Sequence, residues 1–585
     1  MYYEMFDDAC LQTNTDVKIK ERMTYLFYEL RRKGSLADYR KLSLDLGDVL
    51  SLIKKNMQKF PAKKNHNAEY LLYLFKLIVQ TRDIYQGKGE RDVTYMQIHT
   101  WYDHFPILAI NAVPLLVQFG CWRDICGICE YVQENSPLGH NHPLIESCIE
   151  IMIRQLMEDV SQLGERKPIS LAAKWVPREK RTNQWLFDAF VLQWTQKNYP
   201  YMLKSPKHSC GRDSAWNKCR MKFRKIISCL TKELNLIESK QCSQSWSTIG
   251  LRDVNLGTFI SQKDCLLNVR KGKERTHKNI EKGGDRQQCS QHLQKIYQND
   301  FPKCAGRPLT HRRASSGNGL HSISPGYFVK RAIQLLYKDE ENSTYIQNEI
   351  LLLNKQWIKY MRTCANLPAV LPIIDMNSSG CHPVDFSDDM CNAIGLTCII
   401  AEKSLIHMRA MATHSSGWIN LEMCVDFISM VKTICESYVA TNDSCELVDS
   451  LLKLTVSFCQ SKMTNESVSQ IVFVIFTDSS QYVPRRNPEL YFHDRVLKEF
   501  YGYSPPPHVV YWNLSNSVPD TTISPSCGTI GGTTVISGNS PALLNHLQFL
   551  GLSSVRTLTP FNALCNILDS DRYDPVEEIF MKFIE

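Results

Sequence analysis

The chain has 585 residues, 43% of them hydrophobic and 22% charged, with 68 Lys and Arg against 60 Asp and Glu for a formal net charge of +8. That length is too great for one ordinary core and predicts two to four domains of folded globular protein rather than a disordered chain. So small a basic excess says nothing about partners unless it is concentrated in one part of the chain.

The N-terminus, Met1 to Asp8, has no basic region followed by an apolar run, so it does not read as a secretory signal, and the expected location is cytoplasmic. Residues 1–360 read mainly as helices: Lys18–Lys33, Leu44–Gln58, Ala68–Gln80, Val93–His104, Pro106–Phe119, Trp122–Val132 and Leu144–Leu163. Within them apolar residues recur at three-four spacing, as in Tyr70, Leu71, Tyr73, Leu74, Leu77 and Ile78. Short connectors between such helices predict an all-α helical-repeat region. The most membrane-like stretch, Phe105 to Trp122, carries Pro106, Asn111, Pro114 and Gln118, which predicts a buried helix pair and no membrane span.

Two basic segments interrupt the helical pattern. Residues 203–225 hold eight Lys and Arg, and residues 263–322 combine Arg270-Lys271-Gly272-Lys273 with a Ser/Gly-rich stretch that predicts a mobile loop. The 22 cysteines read as reduced, mostly buried thiols. Cys121, Cys126 and Cys129, with His140 and His142, have spacing that suits zinc, but Cys126 and Cys129 fall inside an expected helix and no second CxxC follows. Helix packing is the expectation for these thiols.

From about residue 366 strands and helices alternate, which predicts an α/β doubly wound domain over 366–585. Strands are expected at Val370–Asp375, Leu405–Met411, Trp418–Leu421, Ile471–Phe476, Val509–Trp512 and Thr534–Ile536. Helices are expected at Asp388–Glu402, Cys424–Tyr438, Glu446–Cys459, Asp494–Phe500, Pro541–Leu550 and Pro575–Ile584. The two apolar runs that end in Asp375 and Thr477-Asp478 read as buried parallel strands, each bringing a carboxylate to its C-terminal tip, the edge where open α/β sheets bind ligands.

These segments resemble a von Willebrand factor A domain, whose metal signature is Asp-x-Ser-x-Ser with a Thr and an Asp from two further loops. The resemblance places a magnesium-type site on Asp375, Asn377, Ser379, Thr441 and Asp478, with Asn377 standing where the pattern has Ser. It also implies that an acidic side chain of a protein partner completes the ion's coordination. The whole chain resembles a family of unknown function, found in plants and nucleocytoplasmic large DNA viruses, that joins a TROVE-like helical region to a von Willebrand A-like domain, as in the Ro ribonucleoprotein autoantigen. Four pieces carry this: Arg82-Asp83 through Gly87-Lys88-Gly89-Glu90-Arg91; Ala172 to Lys180; Glu238, Cys242 and Trp246; and Val510-Tyr511-Trp512-Asn513 with Ile536-Ser537-Gly538.

Magnesium takes hard oxygen ligands, which hydroxyls, an amide oxygen and two carboxylates supply, although Asp375 and Asp478 equally suit helix caps and turns. The Gly87–Arg91 element lacks the spacing and the Lys-Ser/Thr ending of a P-loop. It reads as a turn between helices or as a phosphate-binding or docking element. Lys174-Trp175-Val176-Pro177-Arg178-Glu179-Lys180 sets an aromatic among cations, suited to stacking a base and neutralising phosphate, or to plain packing. Arg82, Lys88, Arg91, Lys174, Trp175, Arg178 and Lys180 are the expected RNA contacts. No catalytic motif is present, so the expectation is a non-enzymatic RNA-binding or ribonucleoprotein scaffold with a metal-dependent protein-interaction domain. The alternative is a protein-interaction adaptor or viral assembly component that binds no nucleic acid.

Overall fold

A computed structural model of the protein describes residues 2–59, 64–203, 209–249, 262, 265–266, 284–299, 324–337, 344–362, 364–375, 382–412, 417–439, 464–477, 507–514, 533–548 and 560–584. The chain opens with four helices, α1 (Tyr2–Glu29), α2 (Leu36–Lys59), α3 (Lys64–Arg82) and α4 (Asp92–His104). Their buried stripes follow the three-four spacing of the sequence, as with Leu42, Leu46, Val49, Leu50 and Ile53 on α2.

The next helices belong to a separate compact unit that spans residues 105–322. They are α5 (Pro106–Phe119), α6 (Arg123–Asn135), α7 (Pro143–Gly164), α8 (Ala172–Trp175), α9 (Gln184–Asn198), α10 (Pro200–Leu203), α11 (Ser209–Glu233), α12 (Ile237–Cys242) and α13 (Gly284–Asn299). Both basic segments depart from expectation here. Much of the first is not an interruption but the long helix α11, because Cys219, Phe223, Ile227 and Leu230 recur at helical spacing and are buried. Within the expected loop, Gly284–Asn299 is a helix that buries Cys289 and Leu293, four residues apart. Cys126 and Cys129 lie buried on α6 with free thiols, burial pushes both pKa values well up, and Cys129 meets Cys148 of α7. That is the helix packing the sequence predicts.

The remaining helices are α14 (Pro325–Leu336), α15 (Thr344–Met361), α16 (Asp388–Lys403), α17 (Phe427–Val439), α18 (Asn465–Ser469), α19 (Pro560–Leu568) and α20 (Asp574–Ile584). Six strands are interspersed: β1 (Val370–Asp375), β2 (Arg409–Ala412), β3 (Gly417–Asn420), β4 (Val472–Thr477), β5 (His508–Asn513) and β6 (Thr533–Ser537). They form one sheet in the order β3-β2-β1-β4-β5-β6, parallel except for the edge strand β3, which runs antiparallel to β2. Every residue of β1 and β4 is buried, which fits their unbroken apolar runs and a sheet covered on both faces. On one face Leu371, Ile373, Phe473, Ile475 and Val509 form a core with Met411, Val468 and Ile471.

Two further expectations are adjusted. Strand β2 starts at Arg409 rather than Leu405, because Ser404 Oγ accepts from the backbone N–H of Val370 (2.9 Å) and Ile406 (3.0 Å) and holds a turn there. Pro541–Gln548 is a 3-10 helix, and the helices expected at Glu446–Cys459 and Asp494–Phe500 lie outside the described residues.

The compact units do not follow the expected boundary between 360 and 366. Residues 1–104 fold with residues 323–585 as one unit. Ion pairs tie the two sequence segments together: Lys76 of α3 bonds Asp569 (3.4 Å) and Glu577 (2.8 Å), and Tyr73 OH donates to Asp569 (3.0 Å).

Candidate functional site: the sheet rim and the basic unit

Strands β1 and β4 are neighbours in the sheet, and the chain leaves them toward opposite sides of the strand order, so the C-terminal rim between them is the topological switch point. Asp375 and Thr477 end these strands in register with each other, and both are buried. Of the expected metal donors, Asp375 is placed at this rim, whereas Asn377, Ser379, Thr441 and Asp478 lie outside the described residues. Among the described residues no group of three or more His, Cys, Asp or Glu converges as a metal centre.

Farther along the same rim, the segment from Arg82 to Arg91 is held against the end of β6. The loop turns back over the end of α3: Lys88 N–H donates to Gln80 O (3.1 Å), Gly89 N–H to Asp83 O (3.1 Å) and Glu90 N–H to Thr81 O (2.9 Å). The glycines make this fold-back possible. A Cβ on Gly87 would sit 1.9 Å from the Gln80 carbonyl oxygen, and Gly89 has φ +71, which favours glycine.

Lys88 is buried, with its stem against Gly538 and its ammonium over the Phe27 ring at 4.5 Å. The ammonium donates to the carbonyls of Phe27 and Leu30 (3.0 Å) and to Ser537 Oγ (2.8 Å). Phe27 and Leu30 stand at the C-terminus of α1, where carbonyls lack intrahelical donors and the helix dipole favours a cation. Around it Lys33 pairs with Glu29 (2.5 Å), Arg31 approaches the same carboxylate (3.8 Å) and Arg32 pairs with Glu90 (3.4 Å). Burial pushes the Glu29 carboxyl up, but Arg31 and Lys33 outweigh it and hold its pKa below the usual range. Trp512 Nε1 donates to Gly538 O (2.8 Å), so two of the late motif pieces meet the early one here.

Asp83 is fully buried and takes both Nε and Nη2 (2.6 Å) of Arg572, the Tyr85 N–H (2.9 Å) and the Tyr573 hydroxyl (3.4 Å). His546 bonds the Gln86 carbonyl through Nε2 at 3.1 Å. The Arg82–Arg91 element therefore joins the N-terminal helices to the C-terminal ones. Arg82 and Lys88 are withdrawn from the RNA contact set, because their side chains are buried in this junction and cannot meet a phosphate. Arg91 is half-buried beside it.

The other expected contacts lie in the 105–322 unit. Lys174 pairs with Glu238 (2.9 Å), so the Ala172–Lys180 and Glu238–Trp246 motifs pack together. Trp175 is half-buried, with Arg123 and Lys174 each 5.5 Å over its ring. Arg178 is exposed and reaches Thr231 Oγ1 (3.4 Å), and Lys180 is exposed with φ 63. Glu179 between them forms ion pairs with Arg220 (3.6 Å) and Arg224 (2.7 Å) of α11, which pin the segment to that helix.

The signal missed in the sequence is where the charge sits. Residues 105–322 carry 33 Lys and Arg against 19 Asp and Glu, a net +14, while the rest of the chain has 35 against 41, a net −6. The mild overall excess of +8 hides this because the acidic remainder offsets part of it. No family model and no curated protein matches the chain. Among the described residues no helix is long and apolar enough to cross a membrane.

Proposed function

We propose that this protein is a non-enzymatic RNA-binding scaffold in which the 105–322 unit carries the RNA. The supporting observation is the charge segregation: a net +14 on one compact unit is a polyanion-binding footprint, and the acidic remainder repels the same ligand. Arg178 and Lys180 supply exposed cations beside Lys174 and the half-buried ring of Trp175. The helical region is read as TROVE-like. The sheet is read as von Willebrand A-like, in support of which stand its order, its single antiparallel edge strand and Asp375 at the switch point. In this reading Asp375, with Asn377, Ser379, Thr441 and Asp478, holds Mg2+ for a carboxylate of a protein partner.

The primary test is fluorescence anisotropy with mixed-sequence RNA and the full chain. Binding at 50 mM salt that weakens steeply by 200 mM is expected, because each neutralised phosphate releases counterions. No binding at low salt would remove the RNA reading. Calorimetric titration with magnesium or manganese tests the rim separately: heat that Asp375→Ala abolishes is expected, and no heat at millimolar ion ends the metal reading.

A further inference from the structure

Helix α11 separates its side chains into three stripes. Cys219, Phe223, Ile227 and Leu230 are buried. Arg220 and Arg224 are consumed by Glu179 and Asp188, the latter at 2.7 Å from Arg220. On the side turned away from the buried stripe, Lys218, Lys222, Lys225 and Lys232 fall at positions i, i+4, i+7 and i+14. Lys218, Lys225 and Lys232 are exposed, Lys222 is partly so, and none of the four is in an ion pair among the described residues. From Ser214 to Lys232 the helix has six Lys and Arg and no acid.

That arrangement works against the helix. Like charges at i,i+3 and i,i+4 each cost a few tenths of a kcal/mol, and here no carboxylate on the same face offsets them. A polyanion laid along the face would. Lys218 and Lys232 are 14 helical steps apart, about 21 Å at 1.5 Å per residue, enough for several successive phosphates. Aromatic surface adjoins the stripe: Lys222 stands 4.0 Å over the Tyr199 ring, and Tyr199 meets Tyr201, which is 65% exposed.

We infer that the lysine face of α11 is a phosphate track for a single-stranded RNA, with Tyr201 as the platform on which a base stacks. The inference rests on the RNA reading above and names a contact surface for it. Lysine ammoniums read the backbone rather than the base edges, so the track positions RNA without selecting sequence. An anionic membrane is the other polyanion to weigh, but an interfacial helix needs its apolar face free to enter lipid. The apolar face of α11 is already packed inside the unit.

The test uses the full chain and a 5′-labelled 20-nucleotide oligouridine. Replacing the four lysines together (K218Q, K222Q, K225Q, K232Q) should flatten the log affinity against log salt slope by about 3, at ~0.7 per phosphate contact on a single strand. The corresponding four Lys→Arg changes should leave the slope in place, and Tyr201→Ala should weaken binding about tenfold without altering it. In the unaltered protein, bound oligouridine should shield these four lysines from amine acetylation read by mass spectrometry, a measurement that needs no variant to fold. If the intact chain binds RNA while the slope and the acetylation pattern stay unchanged, the track is wrong and the RNA reading survives. If the intact chain binds no RNA, both fall. Binding of these lysines to phosphatidylserine vesicles but not to oligouridine also overturns the track.

Discussion

Replacing Lys88 with Met distinguishes a junction residue from an RNA contact. The ammonium makes three hydrogen bonds, to the Phe27 and Leu30 carbonyls and to Ser537 Oγ, inside a region where Glu29 and Glu90 are also buried. Each charge-assisted bond of this type is worth roughly 1.5–3 kcal/mol, and the gross sum is offset by the lysine no longer being desolvated. Methionine fills the stem volume but leaves the Leu30 carbonyl unbonded, the Phe27 carbonyl with only the Ser537 hydroxyl (3.3 Å), and the carboxylates with one cation fewer. The expected net loss is about 3–5 kcal/mol, since each buried polar group left short of a partner costs roughly 1–3 kcal/mol, while burial, which lowers the Lys88 pKa well below its usual value, already takes back part of the charged lysine's contribution. The assay is amide hydrogen exchange on segments that span the end of α1 and strand β6. At about 1.4 kcal/mol per factor of ten, protection there should fall by roughly two to three and a half orders of magnitude. RNA affinity at fixed salt should be unchanged where the protein remains folded. Unaltered protection, or a loss of RNA affinity with protection intact, would refute the assignment of Lys88 to the junction.

Gly87→Ala should destabilise the same unit by at least ~3 kcal/mol, because the new methyl meets backbone oxygen at Gln80 and Asp83 rather than a side chain that can swing aside; a thermal melt indistinguishable from the parent would contradict this. Asp83→Asn and Arg572→Met should each destabilise, and the double variant should lose less than the two combined, with a coupling of about 1–3 kcal/mol in a double-mutant cycle. Burial lowers the pKa of His546 to about 4, against smaller opposing effects of the Gln86 carbonyl and Asp83. A histidine whose folded pKa is depressed stabilises most above its unfolded value near 6.5, and that contribution is lost as pH falls through the window from about 6.5 to about 4. The melting temperature should therefore drop across that window, and His546→Gln should shallow the drop; parallel curves for the two proteins would rule the effect out.

Much of the fold is legible in the residues. The unbroken runs Val370–Ile374 and Ile471–Phe476 announce strands covered on both faces, and the apolar spacing of α2 and α3 announces helices. Alternation of strand and helix after residue 366 yields the sheet without its neighbour order. What periodicity does not carry is long-range pairing: nothing near Asp83 reveals that its cation is Arg572, 489 residues on. The Gly87–Arg91 element was conspicuous for its glycines and cations, but composition alone does not separate a phosphate cradle from a buried junction, since both need backbone N–H groups and positive side chains. Residues 203–225 misled in the opposite direction. Their cations read as a solvated interruption, while the thinner apolar stripe of Cys219, Phe223 and Ile227 is what sets α11 as a helix.

Because Phe27, Lys88 and Ser537 meet at one point, α1 and the Lys88 turn are clasped by the end of β6, although residues 105–322 between them in the sequence form a compact unit of their own. A ribosome must therefore release residue 537 before α1 can find this seat, so the contact closes only after all of residues 105–322 have been synthesised. Shortened products that stop before β6 would keep the cationic insert yet leave the first hundred residues without a berth.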